Sequence, residues 1–290
     1  MRIGFIGLGN MGAPMARNLA AAGHDVLGFD PVADAPEGVT RVGSTAEAAM
    51  GAEVVFLMLP DGNAVSEVAT KVLSGMSANA ILVDCSTIDV TTAREVAETA
   101  TSHGIAFVDA PVSGGIAGAK AGTLTFMAGG NTDDFTRLNP LFDIMGAHAH
   151  HCGAAGAGQA AKICNNMILG ATMAATCEAI ALADGLGLGR HELFNVVSTS
   201  SGQSWSMTSY CPIPGVGPTS PADNDYAPGF AAELMLKDLR LSQEAAKTAK
   251  AETPMAQRAT EIYQNFVEES GGKGQDFSAL LRHYAKRTGS

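Results

Sequence analysis

Residues 2–12 read RIGFIGLGNMG: a short apolar run, then glycines at 7, 9 and 12, then helix-forming residues. Apolar residues at 2–6 predict a strand and those at 11–22 a helix, so Gly7, Gly9 and Gly12 form a GxGxxG turn between them. Each glycine has a job in such a turn. Gly7 permits the sharp reversal, Gly9 lets a diphosphate approach the backbone, and Gly12 lets helix pack on strand. The helix N-terminus offers N–H groups and a positive dipole end to an anion. A second strand at 25–29 ends at Asp30, 18 residues past Gly12. That carboxylate either accepts hydrogen bonds from adenosine ribose hydroxyls or is a simple turn residue before Pro31. In the first case it repels a 2′-phosphate. With Pro31 and Val32 following and no arginine before Arg41, the charge balance favours NAD over NADP.

Outward from this turn the pattern repeats. Strands are expected at 53–57, 80–84 and 105–109, with helices at 64–73 and 91–103 between them. Strands alternating with helices of that length make parallel βαβ crossovers. A strand at 123–128 and a helix at 133–145 close the unit. Beyond Gly156 only helical patterns remain, at 159–184, 190–198, 231–249, 254–268 and 277–286. The fold class is therefore α/β. An N-terminal Rossmann-type doubly wound sheet, residues 1–158, binds NAD. A C-terminal all-α domain is expected over residues 159–290, with a long interdomain helix joining the two. A proline-rich stretch at 211–230, CPIPGVGPTSPADNDYAPGF, is expected to lie on the surface or cover a site.

Composition narrows the partners. The 290 residues carry a net charge of −11 with only 18 Lys and Arg, which argues against nucleic acid or an anionic membrane surface. Five cysteines without a CxxC pair fit reduced thiols. No apolar run is expected to span a bilayer. The first strand starts at once, leaving no room for a leader peptide. The expected location is cytoplasmic. The cluster HAHHC at 148–152 lacks a second ligand group at zinc spacing, so it reads as a polar strand, and no metal is expected.

Within the alanine- and glycine-rich helix after Gly156 stand Lys162, Asn165 and Asn166. Lys162 and Asn166 are four apart and share one face, with Asn165 beside it. Oxidising an alcohol by hydride loss also requires a proton acceptor. A lysine amine serves if desolvation lowers its pKa from ~10.4. The bland alternative is a solvated lysine on a helix surface. Ser113, Gly114 and Gly115 offer unobstructed backbone N–H groups and a hydroxyl, suited to a carboxylate, or else form an ordinary turn after Pro111. Thr87 follows the fourth strand, where it either meets a ligand or caps the next helix. Lys237, beside Asp238 in an amphipathic helix, reads on its own as a solvated lysine.

Four further stretches stand beside the glycine turn: DCSTID at 84–89, DAPVSGGIAGAKAGTL at 109–124, GAGQAAKICNN at 156–166 and ELMLKDLRL at 233–241. In this order the set resembles the 3-hydroxyisobutyrate dehydrogenase family of β-hydroxyacid dehydrogenases. NMGAPMARNLAAAGH at 10–24 and GQSWS at 202–206 look like its 3-hydroxyisobutyrate-specific members. STIDV departs slightly, since such members often carry proline after the aspartate. The resemblance implies that Lys162 is the catalytic lysine and that Asn166, with Asn165, holds the substrate. It makes Ser113, Gly114 and Gly115 the carboxylate loop. It lines the cofactor with Asn10, Met11, Leu59, Pro60, Asn63 and Thr87, and places Lys237 near the nicotinamide end. The implied activity is NAD-dependent oxidation of 3-hydroxyisobutyrate to methylmalonate semialdehyde in valine catabolism, by a homodimer or homotetramer. Related alternatives reduce tartronate semialdehyde, glyoxylate or succinic semialdehyde. Imine-reducing relatives are expected to replace the lysine. A non-catalytic NAD-binding protein is the reading from another class.

Overall fold

The computed structural model describes residues 1–287, and the chain divides into two compact units, Met1–Lys162 and the residues from Ile163 on. The strands of the first unit are β1 (Arg2–Ile6), β2 (Asp25–Phe29), β3 (Thr40–Arg41), β4 (Val54–Leu57), β5 (Ile81–Asp84), β6 (Ala106–Asp109), β7 (Val112–Ser113), β8 (Leu124–Gly130) and β9 (Gly146–Gly153). Its helices are α1 (Gly12–Ala21), α2 (Thr45–Ala49), α3 (Gly62–Leu73), α4 (Val90–Ser102), α5 (Gly115–Ala121) and α6 (Thr132–Met145). The boundary between the units falls inside α7 (Ala157–Leu186).

The sheet runs β3-β2-β1-β4-β5-β6-β8-β7, with β9 also on β8. The first six strands are mutually parallel, and this is the doubly wound order. β8 is antiparallel to β6 and β7, and β9 is parallel to β8. β4 and β5 are buried at every residue, which explains their unbroken apolar runs. On one side, Val65, Ala69 and Val72 of α3 and Ala93, Val96 and Ala100 of α4 present helical-spaced faces to Val55, Leu57 and Leu82. On the other, Met15, Ala16 and Leu19 of α1 pack with Phe5, Phe56 and Phe126. Each large apolar side chain so buried contributes roughly 1.5–3 kcal/mol.

Strand order reverses between β1 and β4, so the loops after both strands flank the switch point where ligands bind in such sheets. The sequence reading missed β3, α2, β7 and α5, which are two to seven residues long and too short to show a period. HAHHC does lie in a strand, β9.

The second unit adds α8 (Arg190–Val197), α9 (Trp205–Thr208), α10 (Ala232–Ala249), α11 (Pro254–Glu269) and α12 (Leu280–Arg287). Met173, Cys177 and Ile180 of α7 pack there with Met235, Leu236 and Leu239 of α10 and Tyr263 and Phe266 of α11. The proline-rich stretch reaches the surface as expected, with residues 214–215, 217–219, 223–225 and 227–228 exposed, but it is anchored by Cys211, Ile213, Val216 and Tyr226, which are core residues. Tyr226 donates its hydroxyl proton to the Pro212 carbonyl at 2.7 Å and Ser220 Oγ donates to the Cys211 carbonyl at 2.7 Å, so the loop carries its own polar satisfaction inward. One helix, α7, is long and apolar enough by length and composition to cross a membrane, contrary to the sequence reading. Part of its apolar character serves the core, where Met173, Cys177 and Ile180 are buried, while Ile168, Leu182 and Leu186 are exposed.

Candidate functional site

The turn after β1 is built for close approach. Gly7 has φ +93°, and a Cβ there would stand 2.1 Å from the Met58 carbonyl oxygen. A Cβ on Gly12 would stand 1.9 Å from the Gly7 oxygen, so any side chain would push α1 off the strand. Gly9 is different: nothing lies within 4 Å of the position its Cβ would take. That side of the turn is open, and Gly9 and Asn10 are exposed while Met11 is half-buried. α1 begins without a side-chain cap and without an acid in its first turn, whereas Asp61 caps α3 and Asp89 caps α4 through Ala64 and Thr92 N–H groups at 2.9 and 2.8 Å. Ala13 and Met15 N–H already bond the Gly9 and Met11 carbonyls and Pro14 has none, so it is the turn ahead of α1, at the positive end of the helix dipole, that suits an external anion such as a dinucleotide diphosphate.

Asp30 closes the far side of this loop. Its Oδ2 accepts from Leu8 N–H and its Oδ1 from Val32 and Ala33 N–H, all at 2.8 Å. Burial pushes its carboxyl up, but the N–H bonds from Ala33, Val32 and Leu8, with the Arg41 charge, outweigh this and hold it below the ordinary carboxylate value. Both readings of Asp30 are thereby compatible: it orders the turn and stays anionic.

The next loops are tied together. Leu59, after β4, donates its N–H to Ser86 Oγ at 2.9 Å, and Ser86 N–H donates to Asp84 Oδ1 at 3.0 Å. Thr87 follows, half-buried, while Pro60 and Asn63 are exposed at the start of α3. Ser113 ends β7, and Gly114 and Gly115, at φ +131° and +61°, turn the chain into α5. A residue with a Cβ would be strained at either glycine.

α7 starts from a buried carboxylate. Asp109, at the end of β6 and fully buried, accepts from Gly156 N–H at 2.7 Å and Gln159 N–H at 2.8 Å. Burial pushes the Asp109 carboxyl up to about 6, against the opposing pull of the Gly156, Gln159 and Gly158 N–H groups. Lys162 follows on this helix and is 7% exposed. That removes the solvated-surface reading of the lysine.

One turn on, Asn166 is buried in the second unit. Its Nδ2 donates to Asp238 Oδ2 at 2.5 Å, and its Oδ1 accepts from Asn165 Nδ2 at 2.9 Å. Lys237 Nζ is 3.5 Å from Asp238 Oδ1. So Asn165, Asn166, Asp238 and Lys237 form one polar cluster, and the carboxylate fixes which end of the Asn166 amide is which. The sequence reading passed over Asp238 except as a neighbour of Lys237. Its signal was there: residues 235, 238, 239 and 242 fall on one helical stripe, and Met235, Asp238, Leu239 and Ser242 are buried. Asp109, Ser86 and Gln159 were likewise overlooked, because a capping or bridging role shows only in three dimensions. Among the described residues no group of three or more His, Cys, Asp or Glu side chains could hold a metal ion.

Residues 2–156 match the family model described as the NAD-binding domain of 6-phosphogluconate dehydrogenase, and residues 156–284 match the one described as the NAD-binding domain of NADP-dependent 3-hydroxyisobutyrate dehydrogenase. A probable 3-hydroxyisobutyrate dehydrogenase of Mycobacterium tuberculosis is 46% identical over 284 residues, covering 96% of both chains. The chain belongs to the 3-hydroxyisobutyrate dehydrogenase family. The family relationship extends to an NAD-dependent L-serine dehydrogenase of Pseudomonas aeruginosa, 43% identical over 289 residues and 97% of each chain. A solved structure of the M. tuberculosis 3-hydroxyisobutyrate dehydrogenase with L-serine superposes with a TM-score of 0.92 at 46% identity, over 97% of this chain and 98% of that one. The family is one of NAD-dependent 3-hydroxyacid dehydrogenases, and the α/β fold with a helical second unit is its fold.

Proposed function

We propose that the protein oxidises the primary alcohol of 3-hydroxyisobutyrate to methylmalonate semialdehyde, a step of valine breakdown, with Lys162 as general acid/base. The observation that carries this reading is the burial of Lys162 one helical turn from the buried, carboxylate-oriented Asn166. A bound NAD supplies the hydride acceptor. The Lys162 amine takes the hydroxyl proton as the alcohol becomes a carbonyl, and the ammonium returns it in the reverse direction. Ser113 Oγ and the N–H groups of Gly114 and Gly115 hold the substrate carboxylate. Asn166, with Asn165 beside it, binds the substrate through the amide N–H and lone pair that its bonds to Asp238 and Asn165 leave over.

Gly7, Gly9, Asn10, Met11 and Gly12 cradle the dinucleotide diphosphate, Leu59, Pro60, Asn63 and Thr87 line its path, and Lys237 serves the nicotinamide end. Residues 1–158 are the cofactor domain and 159–290 the substrate domain. The exposed Ile168, Leu182 and Leu186 of α7 support a homodimer or homotetramer. Free cysteines at all five positions suit a reducing cytoplasm.

The test is a steady-state panel of 3-hydroxyisobutyrate, L-serine, glycerate and 4-hydroxybutyrate, each with NAD and NADP. The highest kcat/KM is expected for 3-hydroxyisobutyrate with NAD. A higher value for L-serine would make this chain an amino-acid dehydrogenase of the same fold, a reading its L-serine dehydrogenase relative favours. Asp30→Ala is expected to raise the KM for NAD about tenfold, the worth of roughly one hydrogen bond to a charged group, while kcat falls less. An unchanged KM would show that Asp30 serves the turn alone.

A further inference from the structure

Gln159 is fully buried, three residues before Lys162, and it belongs to neither the glycine turn nor the carboxylate loop. Its side chain leaves α7 and brackets Thr87. Oε1 accepts from Ile88 N–H at 3.2 Å, and Nε2 donates to the Ser86 carbonyl at 2.8 Å. Its main-chain N–H donates to Asp109 Oδ2 at 2.8 Å, so backbone and side chain are both anchored. Ser86 in turn holds Leu59 N–H through Oγ at 2.9 Å. One carboxamide therefore ties the start of the lysine's helix to the two loops that carry Leu59 and Thr87. The amide has one usable orientation, because flipping it sets donor against donor at Ile88 and acceptor against acceptor at Ser86.

We infer that Gln159 is a positioning residue that fixes Lys162 relative to the cofactor loops through its hydrogen bonds to Ser86 and Ile88. This rests on Lys162 being the acid/base of the proposed reaction. A proton acceptor displaced by about 1 Å can cost on the order of 100-fold in rate, so a single buried bridge at this point matters to turnover. A bridge needed only for the fold would act on stability and leave the lysine's contribution intact.

The experiment is a double-mutant cycle on the full-length protein. Gln159→Leu keeps the bulk and removes both bonds. It is expected to lower kcat about 10- to 100-fold while the KM for the hydroxyacid moves by less than about threefold. In a Lys162→Ala background the same change is expected to have no further effect on kcat, since the group being positioned is gone. An equal fold-loss in both backgrounds overturns the inference, as does a wild-type kcat in Gln159→Leu. Gln159→Asn, which keeps the amide but falls one methylene short of the loop, should give the same pattern and carries the test if the leucine variant unfolds. If both variants unfold, the carboxamide holds the fold and not the lysine, and the inference falls. Undiminished turnover in Lys162→Ala alone is a separate result, which strikes the acid/base assignment.

Discussion

Lys162→Ala is expected to lower kcat by about 10²–10⁴-fold, the range for loss of a positioned general acid or base, with the dissociation constant for NADH unchanged. The lysine is 7% exposed, and its immediate neighbours on the helix, Ala161 and Ile163, carry no group that can take over its proton. The Leu8–Asp30 and Leu59–Ser86 hydrogen bonds that order the cofactor turns do not include it, so cofactor binding is expected to survive. Lys162→Arg is the sharper variant. A guanidinium keeps the positive charge but cannot give up its proton, so a proton-transfer role predicts a loss as large as that of alanine. If arginine restored most of the rate, the side chain would be acting through charge alone. Stopped-flow measurement of NADH formation in the first turnover, beside NADH binding by fluorescence, separates the two steps.

What the sequence disclosed and what it hid follow from the range of the forces involved. The sheet was legible because β1, β2, β4, β5 and β6 are apolar runs of four or five residues bounded by turn residues, and the helices between them keep a 3.6-residue stripe. The glycine turn was legible because backbone demands at Gly7 and Gly12 exclude every other residue. The proline-rich stretch was legible only in part, since proline and glycine density marks a break in regular structure and does not show which of its residues anchor in the core. There Ser220 and Tyr226 satisfy buried carbonyls and pin the loop to the core, while its glycine- and proline-rich parts stay exposed. Lys162 and Asn166 were singled out as candidates by their spacing along one helix and by the resemblance. Asp238, which orients Asn166 from 72 positions away, and Asp109, which holds the start of that helix from 47 positions back, were not, because a partner so distant leaves no local pattern.

Asp109 carries the largest expected effect on stability. It sits where α7 begins, and a helix start presents donors with no partners of their own and the positive end of the dipole. The pocket has no slack: a Cβ on Gly129 would stand 2.6 Å from Asp109 Oδ1, and one on Gly158 would stand 2.9 Å from Oδ2. Asp109→Ala strands the N–H groups of Gly156 and Gln159, and at about 1–3 kcal/mol for each buried donor the loss should reach roughly 2–6 kcal/mol. Asp109→Asn keeps the shape but turns an amide NH₂ toward one of those N–H groups, so it too should destabilise. The pH dependence identifies the cause. The folded carboxyl titrates at about 6, above its unfolded value near ~3.9, so between these the folded state holds more protons than the unfolded one. This group's contribution to stability is therefore fully present below about pH 4 and is lost as pH rises through about 6. Urea unfolding at pH 4, 5, 6 and 7 should show the stability gap between wild type and Asp109→Asn shrinking as pH rises. A gap that widens instead would mean that the N–H groups of Gly156, Gly158 and Gln159 outweigh desolvation, with the carboxylate acting as an anionic anchor for the helix that carries the lysine.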